Sequence, residues 1–515
     1  MQPTGFFAVM LIALPAILAA ADVEPPEFEF STDEKFNAAA VADYPQTHDR
    51  IYAYIDDHLE QHVGALQRWV RQRSISAQDD GIEDMARLVR DDLEELGFTE
   101  AELVPTAGHP GVWGYYDAGA DKTLMLYLMY DVQPVEEADW RTPPFAGNLV
   151  ETEHGKALMA RGATNQKGPE RALLNAIESI IAVTGTLPVN LMVTAEGEEE
   201  LGSPNYPQIV DRYEQRLQTA DGVFFPFNSQ TQTGKTSMAL GVKGIIYFEM
   251  EARGGPRGGP KTHEIHGSLK ALVDSPVWRL VHALASMTSA DGNTILIPGY
   301  YDDVRAPTPE EQRLINGMLD EWDEAELKEA LQVDRFIDGL EGRDAIVRYL
   351  YTPTLNIDGI WGGYTGESGK TILPHMATAK VDSRLPPNLD PEDAMRMIRE
   401  HLVDQGFDDI EIREMSAYPA AQTSVEAPLV QAAISVINKY AEPPTVSPRI
   451  AGSAPFYQFT DRLGLPLVFT GLGHGSGAHA PDEYMIIYPN EGSEIAGLAE
   501  IEKAYVDLLY ALAER

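Results

Sequence analysis

Three short runs constrain this chain most: TLMLYLM at 123–129, PVNLMVT at 188–194 and GVFFPF at 222–227. Each is almost unbroken in apolar residues, as a strand buried on both faces must be. Between them lie stretches such as GPERALLNAIESIIA, whose apolar residues recur at helical spacing. The alternation predicts an α/β domain around a large sheet. In such sheets ligands bind beyond the carboxyl ends of the strands, so the polar residues after each run are the ones to read: YDVQP, AEGEEELGS and FNSQ. Ahead of the runs, DDHLEQHVGALQRWVRQ and GIEDMARLVRDDLEELGF read as amphipathic helices, the second with Ile82, Met85, Leu88, Val89, Leu93 and Leu96 on one face and Gly97 as its stop.

A chain of 515 residues is too long for one hydrophobic core. From about Ser237 the pattern changes: MALGVKGIIYFEMEARGG alternates as a half-exposed strand, SPVWRLVHALASM is helical, and MATAKVDSRLPP with EDAMRMIREHL gives a further strand and helix. These predict a smaller α/β sandwich over 238–417, inserted between catalytic-domain parts at 45–237 and 418–515. Residues 22–44, acidic and containing prolines, predict a mobile leader. Residues 1–21 hold an apolar run ending in small residues, which predicts a signal peptide cleaved after Ala21 and a periplasmic or secreted protein. The usual basic start is missing, so a short membrane anchor or a misassigned start is the alternative reading. No later segment has the length and apolarity to cross a bilayer. The 80 acidic against 39 basic residues, a net charge of -41, repel phosphate backbones and anionic headgroups, which argues against nucleic-acid and membrane partners. The absence of cysteine excludes thiol catalysis, cysteine zinc ligands and disulfides.

Along the chain, YDVQP with DWRTPPF after it, RGATNQKGP, EGEEELGS, PTLNIDGIWGGYTGESGKTILP, KVDSRLPPNLDP, AGSAPF and GSGAHAPDE follow in a set order. Together, from about residue 50 onward, they resemble the zinc-dependent exopeptidase family of aminoacylase, glutamate carboxypeptidase and the carnosine-type dipeptidases, and within it the dipeptidase branch. The resemblance implies a large mixed-sheet catalytic domain of zinc-exopeptidase type with an inserted smaller α/β sandwich, a lid and dimerisation domain. It also implies a two-zinc site, a glutamate base and a homodimer formed through the lid.

Family roles then fall on individual residues. The family's His-x-Asp stands here as Met129-Tyr130-Asp131: the ligand is replaced, and Asp131, which would orient it in the catalytic group, is kept. The aspartate that bridges both metals is matched by Asn165, and a further aspartate ligand by Phe227. Glu199 matches the general base, Glu200 the ligand beside it and His479 the last ligand. A catalytic zinc takes about three protein ligands plus water; phenylalanine has no lone pair, methionine sulfur is a soft donor, and an amide oxygen is neutral. The expected cofactor is therefore none or a single zinc on Glu200 and His479, and a two-metal site is not expected. By the same resemblance His266, with His263 as fallback, stabilises an oxyanion across the dimer, and Arg384 clamps a substrate carboxylate. Gly475, Ser476 and Gly477 form a turn near the substrate, which Asn165 also adjoins, and His474 is an unassigned donor.

On residue type alone, Met129 and Phe227 are core residues, EGEEE is a solvated acidic turn, Arg384 holds a surface ion pair and His266 is a loop histidine. Three functions follow. The leading one is a peptidase or amidohydrolase acting on a small peptide or N-acyl amino acid through Glu199. The others are a metal-independent acid/base enzyme of another class, such as a lyase, isomerase or acyl transferase, and a non-catalytic peptide-binding pseudoenzyme.

Overall fold

A computed structural model describes residues 23–255 and 257–515; the predicted signal peptide lies outside them. The three apolar runs become neighbouring strands at the centre of an eight-stranded mixed sheet. Asn190–Glu196, Thr123–Met129, Gly222–Pro226 and Leu467–Thr470 lie side by side and parallel. Gly111–Tyr116 and then Glu100–Val104 continue one edge with antiparallel pairing, and Ser237–Ala239 and Thr445–Ser447 extend the other. The two-residue period of a strand divides the apolar run between two cores. Leu124, Leu126 and Leu128 pack with the helices Asp49–Arg71, Lys167–Thr184, Pro428–Tyr440 and Leu498–Ala513. Met125, Tyr127 and Met129 point the other way, toward the helix Tyr206–Leu217 and Phe456 and Phe459.

The inserted domain has its own core. Its antiparallel sheet runs Asn356–Trp361, Met376–Leu385, Gly244–Arg253, Glu411–Tyr418. On one face Ile246, Phe248 and Met250 interlock with Leu280 and Ala283 of Pro276–Met287 and with Ile398 and Leu402 of Pro391–Asp404.

Two expectations are corrected. The stretch 22–44 is not a mobile leader over its described residues 23–44. Phe28 and Phe30 pack against a small core of Ile315, Ile346, Leu350 and Tyr351. Phe36 N donates to Arg313 O at 2.9 Å and Tyr44 N to Ser435 O at 2.8 Å, while Asn438 Nδ2 holds Ala38 O and Val41 O at 2.9 and 2.8 Å. Its acidity suggested solvation, but its aromatic residues supply anchors. The second correction concerns 304–355, read as part of the sandwich. The helices Pro309–Met318 and Gly342–Tyr351 leave the lid and return to the catalytic domain. Glu310 accepts from Ser424 Oγ and Val425 N, both at 2.9 Å, and Arg449, wholly buried, pairs with Glu311.

Candidate functional site

The strand Asn190–Glu196 ends in a tight turn, Glu199–Leu201, closed by Gly202 at φ +84°. Asp131, at the end of the neighbouring strand, fixes that turn from below. Its fully buried carboxylate accepts the backbone N–H of Glu199 and of Glu200, each at 3.1 Å, and the hydroxyl of Ser76 at 2.8 Å. Burial, followed by the charge of Glu200, raises its pKa to about 7. Asp131 thus acts on the turn. Glu198 secures the outer side, accepting His109 N at 3.2 Å and Asn205 Nδ2 at 2.7 Å. Glu196 is bound inside by Tyr127 Oη at 2.6 Å and Ser203 Oγ at 2.8 Å, and burial pushes it up to about 8.

Glu199 differs from these carboxylates. It is half-buried and makes no side-chain hydrogen bond among the described residues. Burial and then the charges of Glu200, Asp131 and Glu196 push its pKa well above the usual carboxylate range.

Glu200 meets side chains from three other segments. Oε1 accepts Asn165 Nδ2 at 2.9 Å, and Oε2 accepts Gln133 Nε2 at 2.9 Å and lies 3.2 Å from His479 Nε2. Asn165 Nδ2 is also 3.0 Å from His479 Nε2. The hydrogen bond to Glu200 raises the pKa of His479 despite burial. The backbone brings these residues together because Tyr484–Pro489 pairs with Gly155–Met159, so the segments around 160 and 483 run side by side. There Glu483, fully buried, gathers Arg161 Nη1 at 2.7 Å and the backbone N–H groups of Gly162, Thr164 and Asn165 at 3.1, 2.9 and 2.9 Å.

Met129 is buried in the second core, and its N–H donates to Glu170 at 2.7 Å. Phe227 is 38% exposed beyond Gly222–Pro226, its ring 6.5 Å from that of Phe225. Gly475 and Ser476 pair with Met485 and Tyr484; a Cβ on Gly475 would lie 2.2 Å from Thr164 Oγ1, so this glycine permits a close approach to the 161–165 segment. Gly477, at φ +77°, turns the chain toward His479. His474 is buried, 2.9 Å from Gln230 O and 3.2 Å from Tyr484 Oη. Arg384 projects from the lid sheet, its Nε donating to Asp382 at 3.0 Å. Register opposite Ile245 puts Arg384 and Tyr418 on the face away from the lid core. That face lies over the glutamate turn, for a Cβ on Gly202 would meet Ser416 Oγ at 3.2 Å. His266 is not brought to the turn: it is exposed on the lid, 2.8 Å from Ser268 Oγ. His263 is likewise exposed, 3.0 Å from Thr262 Oγ1.

Among the described residues no group of three or more His, Asp or Glu side chains converges as a metal shell. Sequence reasoning missed Gln133, Arg161, Ser76, Glu198 and Glu483. Gln133, Arg161, Glu198 and Glu483 sit inside YDVQP, RGATNQKGP, EGEEELGS and GSGAHAPDE, so their motifs were visible while their partners were not.

A family model described as peptidase family M20/M25/M40 matches residues 125–501. The chain is similar to the Cys-Gly metallodipeptidase dug1 of Schizosaccharomyces pombe, 29% identical over 369 residues that cover 69% of this chain and 75% of that protein. It is equally similar to the Beta-Ala-His dipeptidase of Rattus norvegicus, 29% identical over 378 residues covering 69% and 73%. Among solved structures, an M20 family metallo-carboxypeptidase, Sso-CP2 from Sulfolobus solfataricus, matches with a TM-score of 0.79 at 33% identity, over 88% of this chain and 99% of that one. Human carnosine dipeptidase 1 shares the fold, with a TM-score of 0.72 at 24% identity over 91% and 100% of the two chains.

Proposed function

The chain belongs to peptidase family M20/M25/M40, and from that premise we propose that it hydrolyses dipeptides or N-acyl amino acids, with Glu199 as base and a metal centre reduced to one cation or none. The observation that carries the reading is Glu199 itself, the carboxylate of its turn left without a hydrogen-bond partner among the described residues while Glu196, Glu198 and Glu200 are all engaged. The dipeptidases among its relatives favour hydrolysis over a lyase, isomerase or acyl transferase, and over a non-catalytic binding protein.

The family's zinc is tested by the donors present. Glu200 and His479 are one carboxylate and one imidazole, and the nearest further groups to Glu200, Asn165 Nδ2 and Gln133 Nε2, are N–H donors that repel a cation. These residues do not fit a pair of zinc ions. Glu199 takes a proton from water as the oxygen adds to the scissile carbonyl; its raised pKa makes the ionised form a stronger base. His479, held by Glu200, delivers a proton to the leaving nitrogen. Arg384, above the turn, takes the substrate carboxylate, a task that requires its bond to Asp382 to be shared or released. His266 enters only from a second subunit, which makes a homodimer part of the proposal.

A panel of dipeptides and N-acyl amino acids, assayed with and without zinc or manganese, tests the reading; a panel left wholly uncut in every condition defeats it. Where a substrate is found, Glu199→Gln lowers kcat by about a hundred- to ten-thousandfold and leaves the thermal midpoint in place.

A further inference from the structure

Asn165 occupies an unusual place. One amide nitrogen lies between a carboxylate and an imidazole, 2.9 Å from Glu200 Oε1 and 3.0 Å from His479 Nε2. Gln133 brings a second amide to the other oxygen of Glu200 at 2.9 Å. An ionised carboxylate only accepts, so the N–H ends of both amides, not their carbonyls, face Glu200. The Glu200 side chain is 4% exposed, and an unpaired carboxylate at that depth is strongly disfavoured. Asn165 is also fixed from behind, its backbone N–H bound to Glu483, which is itself anchored by Arg161.

We propose that the side-chain amides of Asn165 and Gln133, together with the Nε2–H of His479, surround the oxygens of Glu200 with donors and take the place of a cation in a metal-free centre. Asn165 and Gln133 are positioning residues. A divalent ion approaching Glu200 and His479 meets amide hydrogens carrying partial positive charge and must displace them to bind. An aspartate at 165 reverses this, because it removes the donor and adds a third anionic or imidazole ligand to a site where about three are needed. The inference rests on the metal-poor half of the proposed function and not on its hydrolytic half.

The test is zinc binding by the full chain, read by metal content after dialysis, by calorimetric titration and by the zinc dependence of the thermal midpoint. Wild type is expected to retain no stoichiometric zinc and to show no zinc-dependent shift in midpoint. Asn165→Asp is expected to bind zinc at least about a hundredfold more tightly than wild type, since even an outer-shell partner is worth about ten- to a hundredfold in metal affinity. Asn165→Ala removes the donor without adding a ligand; it is expected to lower the midpoint without zinc and to gain no zinc binding. One or two zinc ions held by wild type overturn the inference, as does a folded Asn165→Asp that gains no affinity. Should the aspartate variant not fold, an alanine variant with an unchanged midpoint overturns it. Substrate turnover separates the two: a wild type that cleaves dipeptides only when loaded with zinc refutes this inference and keeps the hydrolase, whereas a wild type that binds no zinc and cleaves nothing with or without added zinc or manganese refutes the hydrolase and keeps the inference.

Discussion

Glu311 shows what a single buried carboxylate does for this molecule. Burial alone would raise its pKa, but Arg305 at 2.5 and 2.8 Å, the charge of Arg449 and the N–H of Thr308 at 2.7 Å outweigh that and bring it from 4.5 down to about 2. A carboxyl more acidic in the folded than in the unfolded chain stabilises the fold fully above pH 4.5 and loses that contribution as the pH falls toward 2. The linkage amounts to about 3 kcal/mol. Denaturant unfolding across this range should show Glu311→Gln less stable than wild type at pH 7, with a flatter acid limb between 4.5 and 2. Glu483→Gln leaves the buried Arg161 without its counter-charge, and urea unfolding should register a loss of about 3–5 kcal/mol. Neither residue was legible as a linchpin in the sequence. Glu483 stood in a motif read for His479, and the partners that give it meaning lie more than three hundred positions away.

Elements were legible where one periodicity ruled. The run TLMLYLM had to be a doubly buried strand, and its alternate residues do enter two different cores. Composition misled for the leader: acidity dominates 23–44, yet a few aromatic side chains decide where it lies. Replacing Phe28 and Phe30 together by alanine removes two partly buried rings, and thermal or urea unfolding should show a loss of about 2 kcal/mol. Brief proteolysis of wild type should leave this segment uncut and cut it in the double variant. The glutamate turn is intermediate. EGEEELGS at a strand end pointed to a candidate site, but only the bonds made by Asp131, Asn205 and Gln133 distinguish Glu199 as the glutamate without a side-chain hydrogen bond among the described residues.

At the scale of the whole molecule, the chain crosses between lid and catalytic domain four times, near 243, 307, 353 and 420, because the helical segment returns from the lid and docks. Buried Lys243 reinforces this by donating to Thr352 O at 2.7 Å across two of the crossings. A lid tethered this way has little freedom to swing, so solution X-ray scattering should be unchanged on adding a dipeptide; a marked contraction would contradict it. Thermal unfolding followed by tryptophan fluorescence and by far-ultraviolet dichroism should give coincident transitions, as one cooperative unit requires. By itself the sequence determined the α/β class, the inserted second domain and the family, because each is written in local periodicity or in motif order. Tertiary structure alone decided which glutamate of the turn has no side-chain hydrogen bond among the described residues, that two amides engage Glu200, and that leader and helical insert bind the catalytic domain. Those outcomes depend on contacts between residues far apart in the chain, where hydrogen-bond geometry and burial, rather than residue type, set which charges are satisfied.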